Sequence, residues 1–473
     1  MRGIGLKGIG LAMPVVMGGG RRFYIDATSG NDTNSGRSSA VAWQTIAKVN
    51  AASLHAGDRV LFKRGETWTL ALINDRLVGV SGVTYADYGT GALPIIDGAG
   101  VSDCFLGQNK SNITLQNLDL RHGYDACAQF ITCNGVKVID CNMHGAGNDN
   151  LLFITNNTNI IIKGGIYHDP IRRVAGTFVT NIELTDGGSN YLIDGVECYG
   201  AEDAGISIHN HDTPTPIPTN VTVRNVNSHN NTGNGLQVLS QGTSAAPVIT
   251  ITDSAFNLNG TGLRVYKSAG STYYPQGVTI SNCTFDENAT HNVYLQAHDC
   301  TIKRCVLSGV ATDYLLNINS SKRIDVYNNT FWLSPASAYW PLYILGGALV
   351  DTINIKNNLI FMNTTSGQVI GTAALSGTNV VINYNYYYFK TYTTQARWMW
   401  LGAAKTYANW KIDAGQDANS NANPATDPLL TDPANGDFTL QAGSPAIDGG
   451  VVIAGVTDGY LGTAPDCGYA EKA

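Results

Sequence analysis

The chain has few charged residues and no long hydrophobic run. Charged residues make up 14% of its 473 residues, and the formal net charge is −7 without a basic stripe. A protein that lacks a basic surface is a poor partner for nucleic acid or for an anionic membrane. No apolar run reaches the roughly 18 residues that a membrane-spanning helix needs. We therefore expect neither nucleic acid nor a membrane as a partner.

Cysteine pairs with metal-binding spacing are also missing. The chain has nine cysteines, an odd number, and no Cys-x-x-Cys pair. A zinc site of that type is therefore not expected. Most of the cysteines fall in or beside strand-like segments, where a small apolar side chain would be buried. We predict mostly free core thiols, leave a disulfide open, and predict no resident metal ion.

Helix-forming sequence is scarce as well. The 53 glycines and 23 tyrosines, with frequent Asn and Thr, favour strands and tight turns over helices. One amphipathic helix signal lies at residues 43–50. Residues 205–240 contain three short alternating apolar and polar runs separated by Asn/Gly turns, which predict three short strands that each bury one face. Such a segment is typical of one turn of a β-solenoid.

This pattern repeats through the chain. One apolar strand position recurs at steps of 22 to 31 residues, which is the span of a three-strand coil with a variable loop. We predict an all-β fold, a single-chain parallel β-helix with an amino-terminal capping helix. The repeated anchor positions are Leu115, Val138, Ile162, Ile193, Val223, Ile251, Ile280, Ile302, Val326, Ile355 and Ile382.

The chain divides into four parts. Residues 1–22 are a leader or attachment segment; a secretion signal is the alternative, although the apolar run is broken by glycine and lacks a small-x-small cleavage site. Residues 23–100 hold the amino-terminal cap and first coils, where the helix covers the open solenoid end. Residues 101–395 carry the repeats. Residues 396–473 form a capping tail whose aromatic residues close the apolar end.

Two terminal blocks accompany the repeats, at residues 23–68 and at residues 437–449, which read DFTLQAGSPAIDG. With the repeats, they resemble the right-handed parallel β-helix proteins of the pectate-lyase-like superfamily over residues 22–470. That superfamily includes lyases, hydrolases, epimerases and phage tailspike depolymerases. The resemblance implies a right-handed β-helix that acts on polysaccharide and is extracellular or phage or prophage tail-associated. The tailspike type would also imply a homotrimer.

Two details qualify this resemblance. Residues 1–20, which end in a glycine run, also resemble the short leader of prophage tail proteins. The polysaccharide lyases that share the terminal blocks carry a catalytic motif rich in Asn and Arg, and this motif is not found in the sequence. The fold is therefore implied more firmly than the lyase mechanism.

The register of the strand that opens each repeat predicts which side chains lie together, because a parallel β-helix stacks equivalent residues about 4.8 Å apart. The inward pairs are predicted to be Leu152/Ile154, Ile182/Leu184, Ile206/Ile208, Leu236/Val238, Leu263/Val265 and Val293/Leu295. The first outward column is then Phe153, Glu183, Ser207, Gln237, Arg264 and Tyr294. The second outward column is Thr155, Thr185, His209, Leu239, Tyr266 and Gln296.

Titratable and aromatic residues concentrate on this face between residues 149 and 298. Glu183, beside a coil that begins Glu202-Asp203, offers carboxyl groups on adjacent rungs, and hydrolysis of a glycosidic bond needs such a pair. We predict an endo-acting glycoside hydrolase on an extracellular or capsular polysaccharide, with Glu183 and Asp203 or Glu202 as the acid/base pair and His209 tuning or replacing the acid. The expected substrate-binding residues are Asp149, His211, Asp212, Gln237, Arg264, Tyr266, Lys267 and Tyr294.

Two other functions fit the same face. β-Elimination on a uronate polymer needs a base such as Lys267, Arg264 or His209, and arginine or Ca²⁺ to neutralise the substrate carboxylate. Hydrolysis needs no cofactor, so Ca²⁺ is expected only for a lyase. The third function is a non-catalytic groove that binds a cell-surface glycan, as in an adhesin or a tail protein.

Each candidate residue also has a purely structural interpretation. Asp203 precedes a turn and could serve only to cap its backbone. Glu183 could form a surface ion pair with Arg264 or Arg172, which is common. The histidines of residues 209–211 are expected to be exposed.

Overall fold

The protein is a parallel β-solenoid whose coils each contribute one strand to each of three sheets. The computed structural model describes residues 20–173, 176–211, 215–241, 248–309, 312–335, 340–346, 351–364, 367–373, 379–391 and 396–472. The sheets, named A, B and C, contain 14, 13 and 14 strands. The all-β solenoid predicted from the repeats is confirmed.

The strands follow one another in the order A, B, C along most of the chain. Sheet A contains Arg22–Ile25, Arg59–Lys63, Thr84–Tyr88, Thr114–Gln116, Lys137–Ile139, Thr158–Lys163, Ser189–Asp194, Thr219–Arg224, Ile249–Thr252, Val278–Ser281, His298–Lys303, Lys322–Tyr327, Asp351–Lys356 and Val380–Asn383. Sheet B contains Thr67–Thr69, Ile95–Asp97, Asp119–Arg121, Asn142–His144, Ile166–His168, Glu197–Tyr199, Asn227–His229, Ala255–Asn257, Thr284–Asp286, Val306–Gly309, Thr330–Leu333, Leu359–Met362 and Tyr386–Phe389. Sheet C contains Leu77–Val78, Phe105–Gln108, Ala126–Ile131, Asp149–Ile154, Thr180–Thr185, Ala204–His209, Asn234–Ser240, Thr261–Lys267, His291–Leu295, Tyr314–Asn319, Trp340–Leu345, Ile370–Ala373, Trp398–Trp400 and Ala403–Lys405.

The predicted anchor residues form one continuous column inside sheet A. Each pairs in register with the next along the whole run from Leu115 to Ile382. All of them are buried. Burying an aliphatic side chain of this size stabilises a fold by about 1.5–3 kcal/mol. The column is therefore a main contributor to the core, and its register was predicted correctly.

One strand of sheet C is shifted by one residue from its predicted register. Leu151 and Phe153 pair with the inward residues Ile182 and Leu184, and both are fully buried. The prediction that Phe153 faces outward is therefore wrong, and Leu152 takes its place. Thr155 likewise loses its predicted place in the second column, because Ile154 pairs with Thr185.

Sequence alternation could not decide this register, because residues 151–154 are all apolar. A side-chain ladder decides it instead. Asn150 is buried near the start of the strand Asp149–Ile154 and donates through Nδ2 to Oδ1 of Asn181 on the next coil, at 2.8 Å. The ladder continues through Asn231 and Asn259 to Asn288.

The two ends of the solenoid are covered in different ways. The amino-terminal helix, Ile46–Ala51, begins at the cap residue Thr45 and buries Ile46 and Val49, which agrees with the predicted capping helix. At the other end, Trp398 stacks on Tyr407, with ring centroids 4.6 Å apart. Tyr407 opens the helix Tyr407–Asp413.

The last part of the chain lies along the side of the final coils. Phe438 and Leu440 belong to the antiparallel pair Leu430–Asp432 and Asp437–Leu440, and they pack with outward residues of sheet B such as Phe361.

Short 3₁₀ helices occur at Ser39–Val41 and Pro433–Asn435. All nine cysteines are buried and unpaired. In the described part of the chain, no helix is long and apolar enough to cross a membrane.

Candidate functional site

A buried group of titratable side chains lies on the outward face of sheet C. Glu183, in the strand Thr180–Thr185, belongs to the outward column as predicted, yet it is only 3% exposed. His209, which pairs with Thr185, is fully buried, so the prediction of an exposed histidine is wrong. The reason is a cover over the sheet: the ring of Phe178 contacts the His209 ring at a centroid distance of 4.9 Å. We call Asp149, Glu183, Asp186, His209 and His211 the Glu183 cluster.

His209 has no hydrogen bond to either of its ring nitrogens within the described residues. Its Nε2 lies 3.0 Å from Oε1 of Glu183, but the ring is not aligned to donate to that oxygen. Leaving a buried polar group unpaired costs about 1–3 kcal/mol. The burial of His209 is therefore unfavourable unless charge or a ligand compensates for it.

His211 lies at the edge of the cluster, with its side chain 46% exposed. Its Nδ1 is 3.1 Å from Oδ2 of Asp186, and its backbone N–H donates to Oδ1 of Asp186 at 2.8 Å. Burial alone would raise the pKa of Asp186, but the hydrogen bonds from His211 lower it to about 2. The contact with Asp186 turns Nε2 of His211 toward Glu183, where it lies 3.9 Å from Oε1.

Asp149 and Glu183 are buried carboxyl groups whose pKa values are shifted in opposite directions. Burial, and then the negative charge of Glu183, raises the pKa of Asp149 well above its usual range. Burial would also raise the pKa of Glu183, but the charge and close contact of His209, the charge of His211 and the hydrogen bond from Asp149 hold it below its usual range. The two pKa shifts therefore favour a proton on Asp149 and a negative charge on Glu183. Thr180 fixes Asp149 by donating to its Oδ1 from its backbone N–H at 3.0 Å and its hydroxyl at 2.8 Å.

A cavity of about 290 Å³ lies beside this cluster on the same face. Phe178 lines it and also covers His209, so one aromatic ring contacts both places. Asp203 lines it too, and its Oδ2 accepts from Nη2 of Arg172 at 2.7 Å and from the backbone N–H of Val179 at 2.8 Å. The remaining side chains that line this Asp203 cavity include Thr232, Asn234, Gln237, Thr261, Arg264, Tyr266 and Thr290.

Arg264 is the cation of the Asp203 cavity. Its Cζ lies 4.0 Å from the ring centroid of Tyr266 and 5.5 Å from that of Tyr294. Within the described residues it forms no ion pair with a carboxylate, so the predicted pairing of Glu183 with Arg264 does not occur. The hydroxyl of Tyr266 donates to Gln237 at 3.2 Å, and Gln237 donates to Ser207 at 2.9 Å. The guanidinium is thus held in place by rings and remains available to an anionic ligand.

The other predicted site residues lie outside the cavity lining. Glu202 pairs with Nε of Arg172 at 3.0 Å, so Arg172 binds Glu202 and Asp203 and not Glu183. Lys267 lies over the ring of Tyr274, with Nζ 5.4 Å from its centroid. The hydroxyl of Tyr294 accepts from Asn319 at 3.0 Å. Asp212 falls outside the described residues.

Sequence reasoning missed Phe178, the residue that joins the cluster to the cavity. It lies between strands, where side chains have no regular alternation that could predict their direction. Four hollows are larger than the Asp203 cavity. Two, of about 860 and 470 Å³, lie at the amino-terminal helix and beneath the carboxy-terminal tail, and two of about 370 Å³ each lie along sheet B and at the turns between sheets A and B. None of the four is lined by the outward columns of sheet C, and we therefore place the candidate site at the Asp203 cavity.

Comparison with known proteins concerns the fold. Residues 103–274 match the family model described as "Right handed beta helix region", and a search of curated protein sequences found no match. Pectate lyase Pel9A is 16% identical, with 96% of this chain and 97% of that chain covered and a TM-score of 0.46. The GH136 lacto-N-biosidase from Eubacterium ramulus is 13% identical, with 76% and 67% covered and a TM-score of 0.37. The alginate lyase from Paenibacillus sp. str. FPU-7 is 14% identical, with 65% and 97% covered and a TM-score of 0.44.

None of these similarities assigns an activity to this chain. The family match includes every residue of the Glu183 cluster and all of the Asp203 cavity lining except Thr290. Residues 103–274 are therefore similar to right-handed β-helix proteins, in agreement with the three-sheet parallel solenoid of the structure.

Proposed function

We propose that the chain is an endo-acting glycoside hydrolase whose polysaccharide substrate lies across the outward face of sheet C. The observation that carries this proposal is the Asp203 cavity, which combines a carboxylate, a guanidinium, an amide and aromatic rings. Aromatic faces stack on sugar rings, and a few placed polar groups fix the orientation of a ligand. An extracellular or capsular polysaccharide remains the substrate class that we propose.

Asp203 is the candidate catalytic carboxylate. Both of its hydrogen bonds in the described residues go to Oδ2, so Oδ1 is available to a sugar or a water molecule. Hydrolysis of a glycosidic bond uses one carboxylate as base or nucleophile and a second group as proton donor. Asp203 takes the first role and is the one carboxyl residue among the described residues that line the cavity. Glu183, by contrast, does not line the cavity, and its low pKa makes it a poor proton donor. We therefore assign the contact with substrate to Asp203.

Lyase action is the second candidate, and Arg264 is the observation that favours it. β-Elimination on a uronate requires that the substrate carboxylate be neutralised, and a guanidinium without a carboxylate partner suits that task. Arg264 lines the cavity, with its guanidinium over the ring of Tyr266. In this alternative the substrate is necessarily acidic, whereas a hydrolase could also act on a neutral polymer.

The two chemistries give different products. The purified chain is incubated with a panel of acidic and neutral polysaccharides, and each digest is assayed for new reducing ends and for the ultraviolet absorbance of an unsaturated uronate. Reducing ends without that absorbance support hydrolysis, whereas the absorbance supports the lyase. If the chain binds a polysaccharide and neither signal appears, the enzyme proposal is refuted and a binding protein is the better account.

A pair of neighbouring variants tests the role of Asp203. Asp203→Asn should lower turnover at least about 100-fold, the usual contribution of a positioned acid or base. Glu202→Gln is the matched control, because Glu202 binds the same Arg172 but does not line the cavity. Equal losses in the two variants would show that only the ion pairs with Arg172 matter.

A further inference from the structure

We propose that Glu183, His209 and His211 together bind one divalent transition-metal ion of the Zn²⁺ class. The proposal concerns metal binding by the chain itself and does not depend on polysaccharide cleavage. It departs from the sequence-based prediction of no resident metal, which excluded zinc on cysteine spacing and allowed Ca²⁺ only for a lyase. These residues come from adjacent coils and are brought together by register and not by a sequence motif.

The donor atoms have nearly the spacing that a metal ion requires. One ligand atom from each of the three residues lies within 4.8 Å of the others, and this is the only such group in the described part of the chain. Ligand atoms about 2.0–2.2 Å from a zinc ion, at tetrahedral angles, are about 3.3–3.6 Å apart. The separations of 3.0 and 3.9 Å between Oε1 of Glu183 and the two Nε2 atoms bracket that value. Only a small adjustment of the side chains is needed.

The buried imidazole of His209, whose contact with Glu183 lacks hydrogen-bond geometry, points independently to a ligand. It is fully buried, both of its ring nitrogens lack a hydrogen bond within the described residues, and its Nε2 faces the Glu183 carboxylate. A metal ion held between Nε2 and Oε1 would satisfy this nitrogen and remove the cost of burying it.

Two further carboxyl groups contact the proposed ligands and fix their orientation. Metal-binding histidines usually donate their other ring N–H to a carboxylate, which fixes the tautomer and the ring orientation. Asp186 can accept in this way from His211, because its Oδ2 lies 3.1 Å from Nδ1 of His211. Asp149 hydrogen bonds to Glu183 and so orients its carboxylate.

The donor set favours one class of ion. Two imidazole nitrogens and one carboxylate oxygen suit Zn²⁺ and neighbouring transition metals, and a three-residue set leaves a position for water. Ca²⁺ and Mg²⁺ prefer oxygen ligands throughout. The proposed ion is therefore different from the Ca²⁺ that a lyase would use.

A second group of histidines must be distinguished from this site. His144, His168, Tyr199 and His229 form a stacked column on the outward face of sheet B. His122, which follows the strand Asp119–Arg121, contacts His144 edge-to-face. His229 is a close control, because its Nε2 lies 3.0 Å from Oε1 of Glu197, the same separation as in the pair of His209 and Glu183. It belongs to no group of three ligands in the described residues.

The test is zinc titration of the full chain, free of any affinity tag and previously dialysed against a chelator. Calorimetry with ZnCl₂ should show one ion per chain, and Zn²⁺ should raise the melting temperature. His211→Ala should abolish both effects, and because that side chain is half-exposed the variant should fold. Asp186→Asn should weaken binding about 10–100-fold, the usual effect of losing a carboxylate behind a histidine ligand. His229→Ala should bind as the unmodified chain does.

Several results would overturn the proposal. They are the absence of zinc binding, binding that persists in His211→Ala, and binding that is lost in His229→Ala. In the last two cases the surface histidines hold the ion. Glu183→Gln is a second variant, whose folding is checked by circular dichroism; a folded Glu183→Gln protein that binds zinc normally would also refute the assignment. Because the readouts are binding and melting, an inactive but zinc-binding protein would refute the proposed hydrolase and leave the metal site standing.

Discussion

The buried asparagine ladder should contribute strongly to the stability of the coils that carry the site. Asn259 is 2% exposed. Its Nδ2 donates to the carbonyl of Ser228 at 3.0 Å and to Oδ1 of Asn288 at 3.2 Å, and its Oδ1 accepts from the backbone N–H and Nδ2 of Asn231 at 3.1 and 2.9 Å. Asn259→Ala removes these bonds and leaves the backbone N–H of Asn231 buried without its acceptor.

The size of the effect follows from these contacts. A buried donor without an acceptor costs about 1–3 kcal/mol, and each further lost hydrogen bond costs about 0.5–1.5 kcal/mol. Oδ1 of Asn288 keeps the backbone N–H of Asn259 as a donor, and Nδ2 of Asn231 keeps Oγ of Ser228 as an acceptor, so only the buried N–H of Asn231 and the bond to Ser228 are counted. On that basis Asn259→Ala should lower the free energy of unfolding by about 1.5–4.5 kcal/mol. The control is Asn257→Ala in the same coil, where a half-buried side chain accepts one bond, from the backbone N–H of Asp286 at 3.1 Å. Water can replace that bond, so its loss should cost less than about 1 kcal/mol.

Urea denaturation followed by circular dichroism would measure both variants. Because a solenoid can open coil by coil, hydrogen exchange should also show faster exchange in the strands Ala255–Asn257 and Thr261–Lys267 of the Asn259→Ala protein. Equal denaturation midpoints for the two variants would refute the reasoning, because the buried ladder would then contribute no more than one bond near the surface.

Three further predictions concern charge and burial. Arg264→Met keeps a long side chain on the tyrosine rings but removes the charge. In affinity electrophoresis it should weaken binding of the acidic polymer polygalacturonate about 10–100-fold, the value of a charged hydrogen bond, and leave binding of the neutral polymer dextran unchanged. An equal loss for both polymers would contradict this role. Burial raises the pKa of Asp417, so the stability that this group contributes is present below its unfolded pKa near 4 and is lost as the pH rises through the folded pKa. Asp417→Asn should therefore gain stability relative to the unmodified chain between pH 4 and 7 in urea titrations, and a difference that does not change with pH would be inconsistent with a raised pKa. Since all nine cysteines are buried, iodoacetamide should label none of them in the native protein and all of them in urea, and native labelling would show that a thiol is accessible.

The fold could be predicted from the sequence because a parallel β-helix repeats one local pattern. The spacing of apolar residues such as Val138 and Ile162 directly gives their pairing in sheet A. The same reasoning failed at residues 151–154, where four consecutive apolar residues carry no alternation. There the ladder contact between Asn150 and Asn181 sets the register, and a contact between coils is not visible as a local pattern.

The sequence predicted which side chains share the outward face of sheet C but not which of them are buried. Column reasoning placed Gln237, Arg264 and Tyr266 on one face, and these residues line the cavity. It could not predict that His209 is buried, because Phe178, which covers this ring, lies outside any strand. The direction of a loop side chain is set by tertiary packing, and no repeating sequence pattern indicates it.

The most direct test of the proposed site is a crystal structure of the chain with an oligosaccharide from a polymer that it retains in affinity electrophoresis. The account predicts sugar density in the Asp203 cavity, with a sugar oxygen within hydrogen-bonding distance of Asp203 and a sugar group near Arg264. Sugar bound on another face of the solenoid, with the Asp203 cavity empty, would contradict it.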